Sequence, residues 1–546
     1  MRSLSPDMLR RRAAALMRIA AALLIVFLAS DAVAQTEPES FLEPGSHDVG
    51  FRCSWALDET RTYRTAFDDG ETYGASKAPR PILVNCWYPT EAEADAPLMS
   101  HAEYFEIEPA NEALHALASE LTSLARGIAA EEITGKPEAE LTPEEAVSLD
   151  HILSSPTRAR RSATPLEGPF PIVVHHSGAA SSYEDNAAFC EILASHGFVV
   201  VSSAFCKGDG SSLHIDGRID SGLDLAFLAT WAASEAHGDW QRIAYVGHSA
   251  GAQAILRDAL RSSSPADVRV LLDTTLDYYA LRTPGWRELT DRVLERAEAV
   301  TGPMLVTAGP AASFELIDHL TGCERTYLTI PDLDHNEYIA QGHQHNRWLM
   351  MAQPGDGDLP RATAAHRDYA ALVAFVVSYL KAHLLGEPGP LAEASLAAKR
   401  SRLGDAIHLE VARLGEDGPE PIDPTTAPTP RQLPHLLREQ GVERTCEILL
   451  RTKDSKSLVH ESSMLLASTI FSLMEDGRRE EAKQLYETVR TFRPQVIGTI
   501  TFLAFMSELT GRLDDAKRLL EAAVFLDPEN REAQAKLEKL NRIKDD

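Results

Sequence analysis

Between residues 171 and 330 short apolar runs alternate with helical patterns, and this alternation restricts the chain to few architectures. The runs are 171–174, 198–201, 242–246, 268–272, 304–307 and 326–330, with helical segments such as 186–195 and 219–234 between them. Strands that are apolar along their whole length are buried on both faces, and intervening helices supply the crossovers that parallel pairing needs. The expectation is an α/β domain whose mostly parallel sheet carries helices on both sides. Two earlier runs, 49–57 and 81–88, read as further strands, and 366–384 as a helix that closes the domain. Active sites in such sheets lie at the carboxyl ends of the strands.

One carboxyl end carries Gly247-His248-Ser249-Ala250-Gly251, placed between the run 242–246 and a helix over 252–261. This G-x-S-x-G pattern in a strand-turn-helix setting is the nucleophile elbow of the α/β-hydrolase fold, in which flanking glycines leave room for a strained serine. A serine hydroxyl alone is a poor nucleophile and needs a base within hydrogen-bond reach. In this fold the chain order is serine, acid, histidine. His335 follows the run 326–330 and is the expected base, with His343 and His345 as competitors assigned to a surface loop or lid. Pro310 follows the run 304–307 where many such chains place the acid, so Asp273, one strand earlier, is the expected carboxylate and Asp277 its alternative. The oxyanion hole is expected to combine the amides of Ala250 and Ala179, the latter from the small-residue loop after 171–174. His175 and His176 have no partner spaced to complete a zinc set, and neither metal nor cofactor is expected.

The order Asn85-Cys86-Trp87-Tyr88-Pro89, Ser177-Gly178-Ala179, Ser195-His196-Gly197-Phe198, Arg218-Ile219-Asp220, the elbow and Asp273 resembles the platelet-activating factor acetylhydrolase branch of the α/β hydrolases, close to dienelactone-hydrolase-like enzymes. The resemblance spans roughly residues 50–385 and implies an acid after the sixth strand, as Asp273 would be. Two departures stand out: Ser177 replaces the histidine of a usual His-Gly pair, and residues 106–155 form a helical insertion. That insertion is read equally as a cover for the site or as an extra layer on the core.

Residues 1–34 read as a secretory leader, with five arginines, an apolar run over 19–29 and Ala32-Val33-Ala34 before the cleavage point. The apolar run is shorter than the roughly 20 residues of a spanning helix. A secreted or periplasmic protein with no stable membrane span is therefore expected. In that oxidising setting Cys53, Cys86, Cys190, Cys206, Cys323 and Cys446 could pair or remain buried thiols, and Cys53 and Cys86 lie in strands that could be neighbours. The formal net charge of −28 argues against nucleic acid as a partner.

The domain expected over 35–414 is followed by a linker over 415–434, rich in proline and acidic residues, and then by a repeat over 435–546. Gly477, Ala482, Leu485 and Pro494 recur as Gly511, Ala516, Leu519 and Pro528, a period of 34 that resembles the tetratricopeptide repeat and a possible protein-binding surface. The residues together imply an exported serine hydrolase of carboxylic esters acting on a small or lipid-like substrate. The alternatives are a degenerate hydrolase fold serving as a scaffold, and an acyltransferase.

Overall fold

A computed structural model describes residues 42–62, 79–91, 96–178, 181–204, 222–261, 264–274, 284–309, 311–353, 358–387, 408–416, 418–419, 421–455, 457–509 and 512–543. The leader, residues 218–220, Ala179, Cys206, Asp277 and Gly511 fall outside the described residues. Ten strands, β1 (Asp48–Thr62), β2 (Pro79–Thr90), β3 (Ala159–Arg161), β4 (Phe170–His176), β5 (Val199–Ser202), β6 (Gly238–His248), β7 (Val268–Leu272), β8 (Met304–Ala308), β9 (Arg325–Thr329) and β10 (His408–Ala412), form one sheet. Their order is β10-β9-β8-β7-β6-β4-β5-β2-β1-β3. From β5 to β9 all pairs are parallel, while β2 joins β5, and β10 joins β9, antiparallel.

The six apolar runs of the sequence make the parallel centre, and alternate residues along them feed two cores. Val173, Val200, Val246 and Val270 face a core completed by Phe189 and by Tyr369, Val373 and Val376. Val174, Val201, Tyr245 and Leu271 face the opposite core with Leu225, Leu228, Ile255 and Leu256. Register also settles the cysteine question. β1 pairs Arg52 with Cys86 and Cys53 with Asn85, so the two thiols point to opposite faces of the sheet. Both are free, as are Cys190, Cys323 and Cys446. Burial pushes the Cys53 and Cys86 thiols up to about 12.

The helical insertion supplies α1 (His115–Thr134) and α2 (Pro143–Leu153). Thr142 caps α2 by accepting from the Glu145 amide, and Pro143 stands in its first turn, where the missing N–H costs nothing. Over the sheet lie α3 (Ala187–Ser195), α4 (Gly222–Glu235), α5 (Ala250–Ala259) and α6 (Pro284–Arg296). They are followed by α7 (Ala340–Ala352) and α8 (Leu359–Leu385). Leu117, Leu121, Ile133 and Ile152 of the insertion bury themselves with Trp348 of α7 in a core of their own. Trp348 Nε1 donates to the Glu145 carbonyl at 3.2 Å, and His345 Nδ1 to the Ile133 carbonyl at 2.8 Å. The insertion thus sits on the helix that follows His335.

After β10 the chain runs through turns to α9 (Gln432–Glu439) and α10 (Gly441–Arg451). These precede α11 (Ser463–Glu475), α12 (Arg479–Val489), α13 (Val496–Leu509), α14 (Leu513–Leu526) and α15 (Arg531–Ile543), which share one apolar core. Arg431, directly before α9, is buried against the sheet domain. Its Nε donates to Asp318 Oδ1 at 2.7 Å, and its guanidinium lies 4.2 Å from the centre of the Tyr327 ring. Tyr327 donates its hydroxyl to the same carboxylate at 2.6 Å, and His435 Nε2 stands 3.3 Å from its other oxygen. Asp318 is 1% exposed, so removing the guanidinium strands a buried charge. Arg431→Ala is expected to lower unfolding stability by about 3–5 kcal/mol in urea denaturation; a change below about 1 kcal/mol would show that the contact does not anchor the helices.

Candidate active site

The elbow is built by close packing. Ser249 has φ 52 and ψ −113, a left-handed backbone that a serine adopts only when its surroundings enforce it. Its amide donates to the Leu272 carbonyl at the end of β7 at 3.0 Å, and its carbonyl accepts from Ala252 at 3.1 Å. A Cβ on Gly247 would meet the Gly251 carbonyl carbon at 2.6 Å, and one on Gly251 would meet the His176 carbonyl oxygen at 2.4 Å. Both glycines are therefore required by backbone contact. The hydroxyl ends up at the mouth of the sheet, in front of the first turn of α5, which begins at Ala250.

Asp273 follows β7 immediately and is 1% exposed. Its Oδ1 accepts from the Gly309 amide at 2.9 Å, a donor supplied by the end of β8. Its Oδ2 lies 2.5 Å from His335 Nδ1. His335 comes from the loop after β9, and its Nε2 lies 3.0 Å from Ser249 Oγ. With the carboxylate on Nδ1, that nitrogen carries the proton and Nε2 accepts from the serine hydroxyl. Three residues from distant stretches of the chain therefore meet in one hydrogen-bonded line.

Several partners of this line were not singled out from the sequence. His248 is buried, and burial together with the neighbouring His335 holds its pKa well below the ordinary range, so the ring is neutral. Its Nε2 donates to the His335 carbonyl at 3.0 Å, and the two rings lie 4.7 Å apart. Arg361, on α8, bonds Glu337 Oε1 and Asp334 Oδ2, each at 2.6 Å, and so fastens the turn that bears His335. Against the penalty of burial, Arg361 and the Asp334 amide keep the Glu337 carboxylate below its usual range. The signal for His248 stood inside the elbow motif; Arg361 left none, because its partners lie a helix away in sequence.

His343 and His345 prove to lie on α7 and not on a surface loop. His343 is buried and donates through Nε2 to the Glu337 carbonyl at 2.8 Å, while His345 meets the insertion. Neither is placed as base. The loop after β4 passes the nucleophile, since a Cβ on Gly178 would lie 3.4 Å from Ser249 Cβ. Ala179 itself lies outside the described residues. His175 and His176 are buried and their pKa values fall to about 3 and about 4 through desolvation. Among the described residues no three metal-binding side chains converge.

Two buried acids follow the same loop. Burial lifts Glu184 to about 8 and Asp185 to about 7, so both keep protons that the unfolded chain has lost. The folded state then binds more protons, and this pair makes stability fall as pH rises from the ordinary carboxyl range through about 7 and about 8. His175 and His176 act in the other direction, costing stability as pH falls below the ordinary imidazole range. Glu184→Gln is expected to be more stable than the parent by more than about 1 kcal/mol at a pH of about 8, and no more stable at about 5, in urea denaturation. An equal difference at both pH values would show that Glu184 is ionised in the folded chain.

The sheet order, the elbow and the strand ends that carry the three residues make this the α/β-hydrolase fold. Among solved structures, a ferulic acid esterase from Streptomyces cinnamoneus is similar at 20% identity and a TM-score of 0.42, with 65% of this chain and 96% of that chain covered. A likeness so distant bears on neither substrate nor residue roles. No protein-family model and no curated protein matches the chain.

Proposed function

We propose that this chain hydrolyses carboxylic esters through an acyl-enzyme, with Ser249 as nucleophile, His335 as general base and acid, and Asp273 as its orienting carboxylate. The observation that carries the reading is the continuous line from Ser249 Oγ to His335 Nε2 at 3.0 Å and from His335 Nδ1 to Asp273 Oδ2 at 2.5 Å. As Oγ bonds to the ester carbonyl carbon, its proton passes to Nε2 and the carbonyl π pair moves onto oxygen. The resulting imidazolium is stabilised by the buried carboxylate. The oxyanion is met by the Ala250 amide at the positive end of α5, with Ala179 as the second donor. Collapse breaks the bond to the alcohol, which leaves with the proton from Nε2. Water then repeats the sequence and releases the acid.

Export through the segment 1–34, and a tetratricopeptide-like surface over 435–546 for a protein partner, belong to the same proposal. Labelling with a fluorophosphonate tests it. The mature chain is expected to gain one phosphonyl group, located by peptide mass mapping at Ser249; a chain that resists the probe would favour the scaffold alternative.

A further inference from the structure

The loop after β4 runs past the nucleophile at one flank and meets the helical insertion at the other. At Gly178 a Cβ would lie 3.4 Å from Ser249 Cβ and 3.0 Å from His248 Nδ1, so the backbone here runs close against the elbow. At the far flank Ser181 donates its hydroxyl to Oε1 of Glu132, on the last turn of α1, at 3.1 Å. Tyr183 follows into the apolar core that Leu117, Leu121 and Ile133 of the insertion share with Trp348, and its hydroxyl donates to the Tyr104 carbonyl at 3.1 Å. The Asp185 carboxyl faces both the Gly178 amide and the Ser181 hydroxyl, so the two flanks share one buried neighbour. Further on, the Gln341 amide donates to the Asp185 carbonyl and the Ala340 amide to Asn186 Oδ1, both at 3.0 Å, and the Tyr369 hydroxyl donates to the same oxygen at 2.6 Å.

From Ser177 to Ser181 the sequence holds nothing larger than a serine, so this stretch has little side-chain packing of its own with which to fix its backbone. Ordering it costs conformational entropy that contacts from outside must offset. The demand on the loop is strict. An oxyanion donor is effective when it already stands in place as charge develops, and a displacement of about 1 Å costs up to about 100-fold in rate. The Ser181 bond and the burial of Tyr183 are such outside contacts, and both come from the insertion.

We propose that Glu132 is a positioning residue for ester hydrolysis: by accepting from Ser181 it holds the loop after β4 where that loop offers its amide to the oxyanion. The insertion is thereby part of the working site rather than a spare layer on the core. The inference rests on the ester-hydrolase reading. Burial, with Asp185 and Glu184 nearby, raises the Glu132 carboxyl well above its ordinary range, so glutamine, neutral and of the same shape, is its closest mimic.

Substitutions in the full chain test it. Glu132→Ala and Ser181→Ala are each expected to lower kcat for p-nitrophenyl butyrate by about 10- to 100-fold, with KM within a few-fold. The double variant should be no slower than the slower single one, because both changes remove the same hydrogen bond. Glu132→Gln keeps the acceptor and should turn over close to the wild-type rate. An alkyl trifluoromethyl ketone reads the oxyanion without a leaving group: Oγ adds to its carbonyl carbon, the hydroxyl proton passes to His335 Nε2 and the carbonyl π pair moves onto oxygen. Its Ki should rise by the factor by which kcat falls, while the acid limb of kcat/KM against pH, which reports His335, stays in place. An unchanged kcat in Ser181→Ala would overturn the proposal. So would a slowed variant with unchanged Ki, a displaced acid limb, additive losses in the double variant, or Glu132→Gln as slow as Glu132→Ala. If Glu132→Ala does not fold in urea denaturation, Ser181→Ala decides. If the wild type neither hydrolyses the ester nor takes up a fluorophosphonate, the ester-hydrolase reading itself has failed and this proposal falls with it.

Discussion

Ser249→Ala is expected to lower the turnover of p-nitrophenyl butyrate by about 10⁴- to 10⁶-fold and to eliminate fluorophosphonate labelling. The size follows from what the hydroxyl does. Without Oγ no acyl-enzyme forms, and the residual rate comes from oxyanion stabilisation and binding acting on water. The substitution is also mild in structural terms, because the elbow is fixed by backbone contacts of Gly247, Gly251 and the Ser249 amide rather than by the hydroxyl. Loss of rate with unchanged thermal unfolding is therefore the expected pair of results. A variant that retained more than a hundredth of the wild-type rate would remove Ser249 from the chemistry.

The second large effect is expected at the carboxylate. Asp273→Asn should reduce kcat by about 10⁴-fold while leaving KM within a few-fold. Asparagine can still accept the Gly309 amide, so the fold of the loop is kept. It cannot stabilise imidazolium, and by offering an N–H to His335 Nδ1 it selects the tautomer whose Nε2 bears a proton and no longer accepts from Ser249. Asp277→Asn, by contrast, should leave kcat nearly unchanged. A reversal of these two results would move the acid to Asp277.

What could be read from the residues alone was whatever local pattern dictates. Apolar strands of four or five residues with helices between them define a doubly covered sheet, and the elbow needs two glycines at fixed spacing around the serine. His335 and Asp273 were legible because Asp273 directly follows a strand and His335 stands in the short loop after another, and strand ends converge at one edge. The unread features depend on partners far apart in the chain. β10 is too short and isolated to announce itself, yet it extends the sheet by pairing His408 through Ala412 with β9. The anchoring of the His335 turn by Arg361, and the burial of Arg431 against Asp318, are single long-range ion pairs without a periodic signature. The cysteines failed for a related reason, since only the register between β1 and β2 decides which face each thiol takes.

Arg431 follows the proline-rich stretch in sequence, yet physically it is a plug in the wall of the sheet domain. A fragment ended just ahead of it would carry an open hole over Tyr327, on the strand that leads to His335, and an uncompensated Asp318 beside that strand. Shortening the polypeptide to its sheet domain would thus wound that domain, and a cut meant to separate the two modules has to fall beyond α9 to leave the plug in place.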